Sequence, residues 1–420
     1  MSVFTRSRST TVLGGFALIG ASALVLAGCS GGGETGGETS APPTEERDLS
    51  LSIGTVLPQT GALSYLGPPE EAGVGLAVAD INEAAKGIEV DVQFGDSGDP
   101  DNKAYETTVP RLLDSGVSAL IGAASSGVTK LFLDQAVSSG VITFSPANTS
   151  PDFTTWDDNG LYWRTAPSDL LQGEVLGNLI AEDGHQTLGI IYLNDAYGTG
   201  LEAALTENFE AAGGEVVASQ AYNATDTTYD AQVSAIMAEN PDAIAVIGFV
   251  ETSTIVPAFV ADGFDGGNFY FVDGNISQWG ADMPVNIEGT KGTQPGPVLE
   301  DDFIERLNGW WTGEGNEELA DLNYAAESYD AVVLLALASL VANSTEGTEI
   351  AAHLQEVSGG SGDGEKCTSF EECADIILSG GTADYDGYSG AITFDDAGDP
   401  TEASMGIFEY GPDNTHTRIN

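Results

Sequence analysis

From Leu51 onward, short apolar runs alternate with longer stretches in which apolar residues recur every three or four positions. Short apolar or alternating runs suit strands, and the 3.6-residue period suits helices with one buried face. The pattern predicts strands over Leu51–Val56, Ile88–Phe94, Val117–Ile121 and Val141–Phe144. Helices over Glu70–Ala85, Asp101–Ser115 and Val128–Val137 fall between them. Val74, Ala77, Val78 and Ile81 share one face of the first, and Pro110 in the second should start or kink a helix because it has no N–H. Past a junction at Leu161–Pro167 the alternation resumes, with helices over Leu170–Ala181, Gly200–Ala212, Tyr229–Glu239 and Thr252–Ala261. Strands over Thr187–Leu193, Glu215–Ala221, Ala243–Ile247 and Phe269–Val272 are interleaved with them. Asp302–Trp311 and Leu322–Val341 then read as two helices in succession, and Ala391–Phe394 and Ala403–Tyr410 as late strands. The run Ala331–Leu337 is too short to cross a bilayer and reads as a core helix.

Repeated strand–helix alternation builds parallel sheets covered by helices on both faces, and the right-handed crossover makes each half doubly wound. The expectation is an α/β chain of two doubly wound parallel-sheet lobes joined by three crossovers. Residues 49–167 with 295–385 would form the first lobe, and 168–294 with 386–420 the second.

The N-terminus changes the picture from a cytosolic to an exported protein. Arg6 and Arg8 precede an apolar, small-residue stretch, Val12–Leu26, which ends in Leu26-Ala27-Gly28-Cys29. That order is a secretory signal over 1–28, and a Cys directly after two small residues is the lipid acceptor of a bacterial lipoprotein. Residues 29–48, rich in Gly, Ser, Thr and Glu, read as a flexible tether. The location implied is extracytoplasmic, anchored by lipid on Cys29 to the outer face of the cell membrane.

Charge excludes other partners. The formal net charge is −53, with 12 Lys plus Arg against 65 Asp plus Glu. No basic stripe exists to neutralise phosphates, so nucleic acid is excluded as a partner, and anionic lipid would repel the body rather than hold it. With Cys29 used for lipid, Cys367 and Cys373 remain. In an oxidising compartment they read as one short-loop disulfide, with two free thiols the alternative.

Ligands of open α/β sheets sit at the carboxyl ends of strands, where helix N-termini point. Two consecutive junctions here are rich in small hydroxyl residues: Ile121-Gly122-Ala123-Ala124-Ser125-Ser126-Gly127, and Phe144-Ser145-Pro146-Ala147-Asn148-Thr149-Ser150-Pro151-Asp152. Such residues cap helices and leave N–H groups facing outward, which suits a carboxylate; ordinary capping with no ligand is the alternative. These segments resemble the leucine/isoleucine/valine-binding branch of the type I periplasmic binding proteins, which serve ATP-driven importers. Gly61–Tyr65, Gly95–Pro100, Trp163–Ala166 with Asp169 and Gln172-Gly173, Asp195–Gly198, Val272–Gly274 and Tyr388–Phe394 through Asp399 extend the likeness from about Leu51 to Tyr410.

The resemblance implies roles position by position. Ser126 matches the serine that grips the ligand α-carboxylate, with Ser125 beside it as a further candidate ligand residue. Ala147 matches the residue whose carbonyl accepts from the α-ammonium, and Thr149 the threonine that touches both groups. Asp169 matches an acid at the first crossover, Tyr197 an aromatic wall of the second lobe, and Tyr65 a tyrosine over the side-chain pocket, offset by one position. Asp273 stands where the branched-chain binders carry Glu, one methylene longer, and Gly248–Glu251 lacks the tyrosines of the family pattern. A buried zwitterion needs donors at one end and a carboxylate at the other, so hydroxyl-lined helix starts facing an acid favour an amino acid over a sugar. The function implied is amino-acid capture, branched-chain or related, by a monomer that delivers to the permease subunits of an ABC importer. A sensor of the same fold, an amide or urea ligand, and an extracytoplasmic hydrolase are the alternatives. Gly198-Thr199-Gly200-Leu201-Glu202-Ala203 imitates a dinucleotide fingerprint, but Asn194–Tyr197 separates it from the strand and no acid ends the next one. No cofactor, metal or catalytic residue is expected.

Overall fold

The computed structural model describes residues 47–362 and 364–420. The signal segment, Cys29 and all of the tether before Arg47 lie outside them. Chain order begins β1 (Leu49–Val56), α1 (Gly67–Ala84), β2 (Ile88–Gln93), α2 (Tyr105–Ser115), β3 (Ala119–Gly122), α3 (Ser126–Ser138), β4 (Ile142–Ser145) and β5 (Tyr162–Arg164). It continues α4 (Asp169–Glu182), β6 (Thr187–Leu193), α5 (Ala196–Ala211), β7 (Glu215–Tyr222), α6 (Asp230–Met237), β8 (Ala243–Ile247), α7 (Thr252–Ala261), β9 (Phe269–Phe271) and β10 (Lys291–Pro295). Last come α8 (Asp301–Gly313), α9 (Ala325–Ala342), α10 (Gly347–Val357), β11 (Glu365–Cys367), α11 (Phe370–Leu378), β12 (Ala383–Gly387), β13 (Gly390–Ala391), β14 (Met405–Tyr410) and β15 (His416–Arg418).

The two large sheets repeat one plan. The first runs β2-β1-β3-β4-β5, all parallel. The second runs β7-β6-β8-β9-β10, also parallel, and extends through antiparallel β14 and β15. Each strand order reverses beside its first strand, and these reversals are the two places where an open α/β sheet offers a ligand crevice. Three passages join the lobes: between β5 and α4, between β10 and α8, and between β13 and β14. The expected fold class therefore stands.

Each lobe has its own apolar core. In the first, α9 is buried along Ala325–Leu340 and packs on α1, where Gly73 has no side chain to keep the Ala325 carbonyl away: a Cβ there would lie 2.2 Å from that oxygen. The apolar run Ala331–Leu337 is thus a core helix face. Cys367 and Cys373, both buried, form a disulfide that ties β11 to α11. Residues 386–394, expected in the second lobe, belong to the first: β13 pairs with β12, and Ile392 and Phe394 are buried with Leu51, Ile53 and Phe144. Of the expected strand Ala391–Phe394, only Ala391 lies in a ladder, and Phe394 forms an isolated bridge to Pro400. Conversely, β10 completes the parallel part of the second sheet, so the passage between lobes begins after Pro295. Pro110 sits inside α2 without ending it.

Candidate functional site

The site grows from the loops at the two strand-order reversals. After β3, Ser125 caps α3 by accepting from the Val128 N–H at 3.3 Å, and Ser126 opens the helix. The Ser126 hydroxyl accepts the Ser150 N–H at 3.3 Å, which ties this helix start to the loop after β4. That loop is fixed from below. Asn148 donates its amide to the Ala123 and Ala124 carbonyls at 2.9 and 2.8 Å. Arg164, fully buried, donates to the Asn148 and Ser150 carbonyls and forms a two-pronged ion pair with Asp399 at 2.6 and 2.8 Å. Ala147 and Thr149 are held between these anchors.

The second lobe supplies the opposite wall. Asp195 caps α5 through the Gly198 N–H at 2.9 Å, which starts the helix at Ala196 rather than at Gly200. Gly198 and Gly200 therefore lie within the helix, where they let it approach Leu193 and Pro151, and the apparent nucleotide motif is a packing feature. Tyr197 then projects from the first turn. Its hydroxyl donates to Asp273 at 2.6 Å, and Tyr324, just ahead of α9 in the first lobe, donates to the other oxygen of the same carboxylate at 2.7 Å. Burial, then the nearby Asp273 charge, raise both phenols, so they stay neutral donors. Asp273 is 4 % exposed, and burial raises its carboxyl although the two hydroxyls favour the charged form.

A small, tightly closed cavity lies between these walls, lined by Ser125, Ser126, Ala147, Tyr197 and Asp273 together with Leu63, Leu66, Phe249, Gly274 and Tyr324. Five of the eight expected ligand residues thus meet around one space. Tyr65 does not line it; its hydroxyl spans the lobes and donates to the Gly274 carbonyl at 3.0 Å. Thr149 and Asp169 lie behind the wall, joined by an Asp169 N–H to Thr149 carbonyl bond of 2.7 Å. The apolar lining was missed in the sequence. Leu63 and Leu66 leave the first lobe to pack in the second lobe's core, and Phe249 stacks on Tyr197 at 5.4 Å and 13°. Tyr324 was missed too, since only its left-handed backbone (φ 61°) before α9 marks it as special. A larger chamber of about 750 Å³ adjoins the cavity, sharing Leu63, Ser125 and Phe249 with it. Another space, of about 800 Å³, is lined by the second crossover and the C-terminal strands, and none of the expected ligand residues faces it.

Helix-start donors at α3, an acid with two hydroxyl supports opposite, and an apolar floor thus line one space between the lobes. The sequence profile of the family described as periplasmic binding protein matches residues 50–358. The chain belongs to that family. Among its relatives, the chemotactic signal transduction system substrate-binding protein BasB of Halobacterium salinarum is 27% identical over 370 residues, 83% of this chain and 84% of that one. The leucine-, isoleucine-, valine-, threonine- and alanine-binding protein of Pseudomonas aeruginosa is 28% identical over 189 residues, 44% of this chain and 50% of that protein. The crystal structure of leucine binding protein LivK from Thermotoga maritima superposes with a TM-score of 0.71 at 21% identity, covering 88% of this chain and 98% of that one. As in other members of the periplasmic binding protein family, the fold is the type I arrangement, and the family's role is solute binding outside the cytoplasm.

Proposed function

We propose that the protein captures an α-amino acid between its lobes, with the α-carboxylate on the Ser126 end of α3 and the α-ammonium on Asp273. The observation that carries this reading is the single cavity shared by Ser125, Ser126, Ala147, Tyr197 and Asp273, which brings donors from one lobe opposite an acid of the other. Leu63, Leu66 and Phe249 offer an apolar seat for a branched or otherwise non-polar side chain. A ligand enclosed by both lobes favours the closed form, and closure is what a transport partner can read. Delivery to the permease of an ABC importer, with the body held at the membrane by lipid on Cys29, is the role that fits an exported two-lobed binder. Calorimetric titration with a panel of amino acids and sugars tests the ligand class: amino acids should bind and sugars should not, and the reverse rejects the reading. A second reading, sensing rather than import, is favoured by the likeness to BasB, which spans 83% of the chain. Deleting the gene should abolish uptake of the ligand if the protein serves import, and should abolish only the behavioural response to it if the protein serves sensing.

A further inference from the structure

Four buried side-chain oxygens behind the cleft wall have no hydrogen-bond partner: Thr149 Oγ1, both carboxylate oxygens of Asp169, and Gln172 Oε1. Asp169 and Gln172 lie three residues apart on α4, and so on one face of it. Gln172 is pinned by donating its amide N–H to the Thr293 carbonyl at 2.9 Å, which leaves its oxygen unpaired. The Thr149 hydroxyl lies beside the Asp169 carboxylate, near enough to favour its charged form, though short of full hydrogen-bond geometry. Asp169 is fully buried.

The charges around this cluster do not balance. Facing Asp169 are Asp273 from the second lobe, Asp195 at the start of α5, and Arg164 of β5. Arg164 is already matched by its two-pronged pair with Asp399. Tyr65, Tyr197 and Tyr324, which surround Asp273, are neutral. A bound zwitterion adds one ammonium near Asp273, and its carboxylate is taken up by the start of α3. One ammonium then faces two carboxylates, Asp169 and Asp273, in a space closed to water. An ion without a partner in such a place takes a proton rather than stay charged.

Building on the amino-acid reading above, we propose that the cleft takes up one proton from solvent with each zwitterionic amino acid, and that Asp169 carries it. Asp273 is the member of the pair that stays ionised, because two tyrosine hydroxyls donate to it at 2.6 and 2.7 Å, while Asp169 has only the less well placed Thr149 hydroxyl beside it. Burial, then the nearby Asp273, hold the Asp169 carboxyl well above the usual carboxylate range in the closed form. Thr149 and Arg164, which cover Asp169, belong to the first lobe, so parting the lobes would uncover Asp169 and lower its carboxyl towards the ordinary range. The closed complex therefore binds more protons than the open protein. Linkage then makes affinity fall as pH rises above the ordinary carboxylate range, towards the raised value.

Calorimetry at pH 7 in two buffers of different ionisation enthalpy counts the protons. Up to one proton should be taken up per neutral amino acid bound, and affinity should fall as pH rises above the ordinary carboxylate range, by up to about tenfold per unit. Asp169→Asn, whose amide is neutral at every pH, should abolish the uptake, flatten the profile and tighten binding at pH 7.5 by about tenfold or more. The proton count on the unaltered protein stands whether or not the variant folds. Zero uptake, proton release, or a loss of affinity in Asp169→Asn like that in Asp273→Asn overturns the proposal while leaving amino-acid binding in place. If no amino acid binds at all, the reading beneath it fails as well.

Discussion

Replacing Asp273 with Asn keeps the shape of the side chain and removes its charge. In the closed cleft this carboxylate is 4 % exposed and accepts from Tyr197 and Tyr324 at 2.6 and 2.7 Å. An Asn oxygen can accept one of these bonds, but its NH2 must point at the other hydroxyl or at the incoming ammonium. Loss of one partner of a buried, hydrogen-bonded charge pair costs about 2–5 kcal/mol. Affinity should therefore fall by roughly 30-fold at the low end and a few thousandfold at the high end. Because every α-amino acid presents the same ammonium, the loss should be similar across all that bind. Titration calorimetry of the variant with a panel of amino acids measures it, and a melting curve shows that the fold is intact. Affinity within about twofold of the parent would mean that Asp273 does not meet the ammonium, and the second-lobe half of the site assignment would fall.

Other predictions follow from the same contacts. Phe249→Ala opens the wall between the small cavity and the larger chamber beside it, so longer side chains should gain affinity relative to compact ones; an unchanged rank order in the panel refutes that. Asp399→Ala strands the fully buried Arg164 beneath the Thr149 loop and should cost about 3–5 kcal/mol by denaturant melting, with ligand affinity falling too. Burial pushes Glu327 up to about 8, so the folded state prefers it protonated, and this preference penalises folding progressively as pH rises from the usual carboxylate range to about 8. Glu327→Gln should then match the parent in stability near pH 4.5 and exceed it by on the order of a few kcal/mol near pH 8. Replacing Cys367 and Cys373 by Ser removes a short-loop bridge and should cost about 2 kcal/mol, while Cys29→Ala should release the protein from membranes.

Much of this architecture was legible because the fold writes itself as alternation. β6, β8 and α7 appear over the residues that hydropathy selects, since their buried faces demand apolar side chains. β10, Lys291-Gly-Thr-Gln-Pro, escaped because it is built from polar residues and glycine, although it is buried between β9 and β14; there Thr293 and Gln294 are neighbours' hydrogen-bond partners and spacers rather than grease. The late segment 386–394 escaped because tertiary packing of Ile392 and Phe394, not local pattern, decides which lobe holds it. At the site, hydroxyl-rich junctions and the family likeness pointed to Ser126, Ala147 and Asp273. They could not point to Leu63, Leu66 or Tyr324, which reach the cavity only because the closed lobes carry one lobe's loop into the other's core. Tyr65, expected over the side-chain pocket, donates across the lobes to the Gly274 carbonyl, a contact that no periodicity of its loop could signal.

The central claim is that the lobes close on a single free α-amino acid. Purifying the protein from its own source without refolding, denaturing it and identifying the small molecules released by mass spectrometry tests this most directly. One predominant α-amino acid with a non-polar side chain should be released, unchanged in mass and close to one per protein molecule. Release of a sugar, or of a hydrolysed fragment of a larger amide or ester, would contradict it.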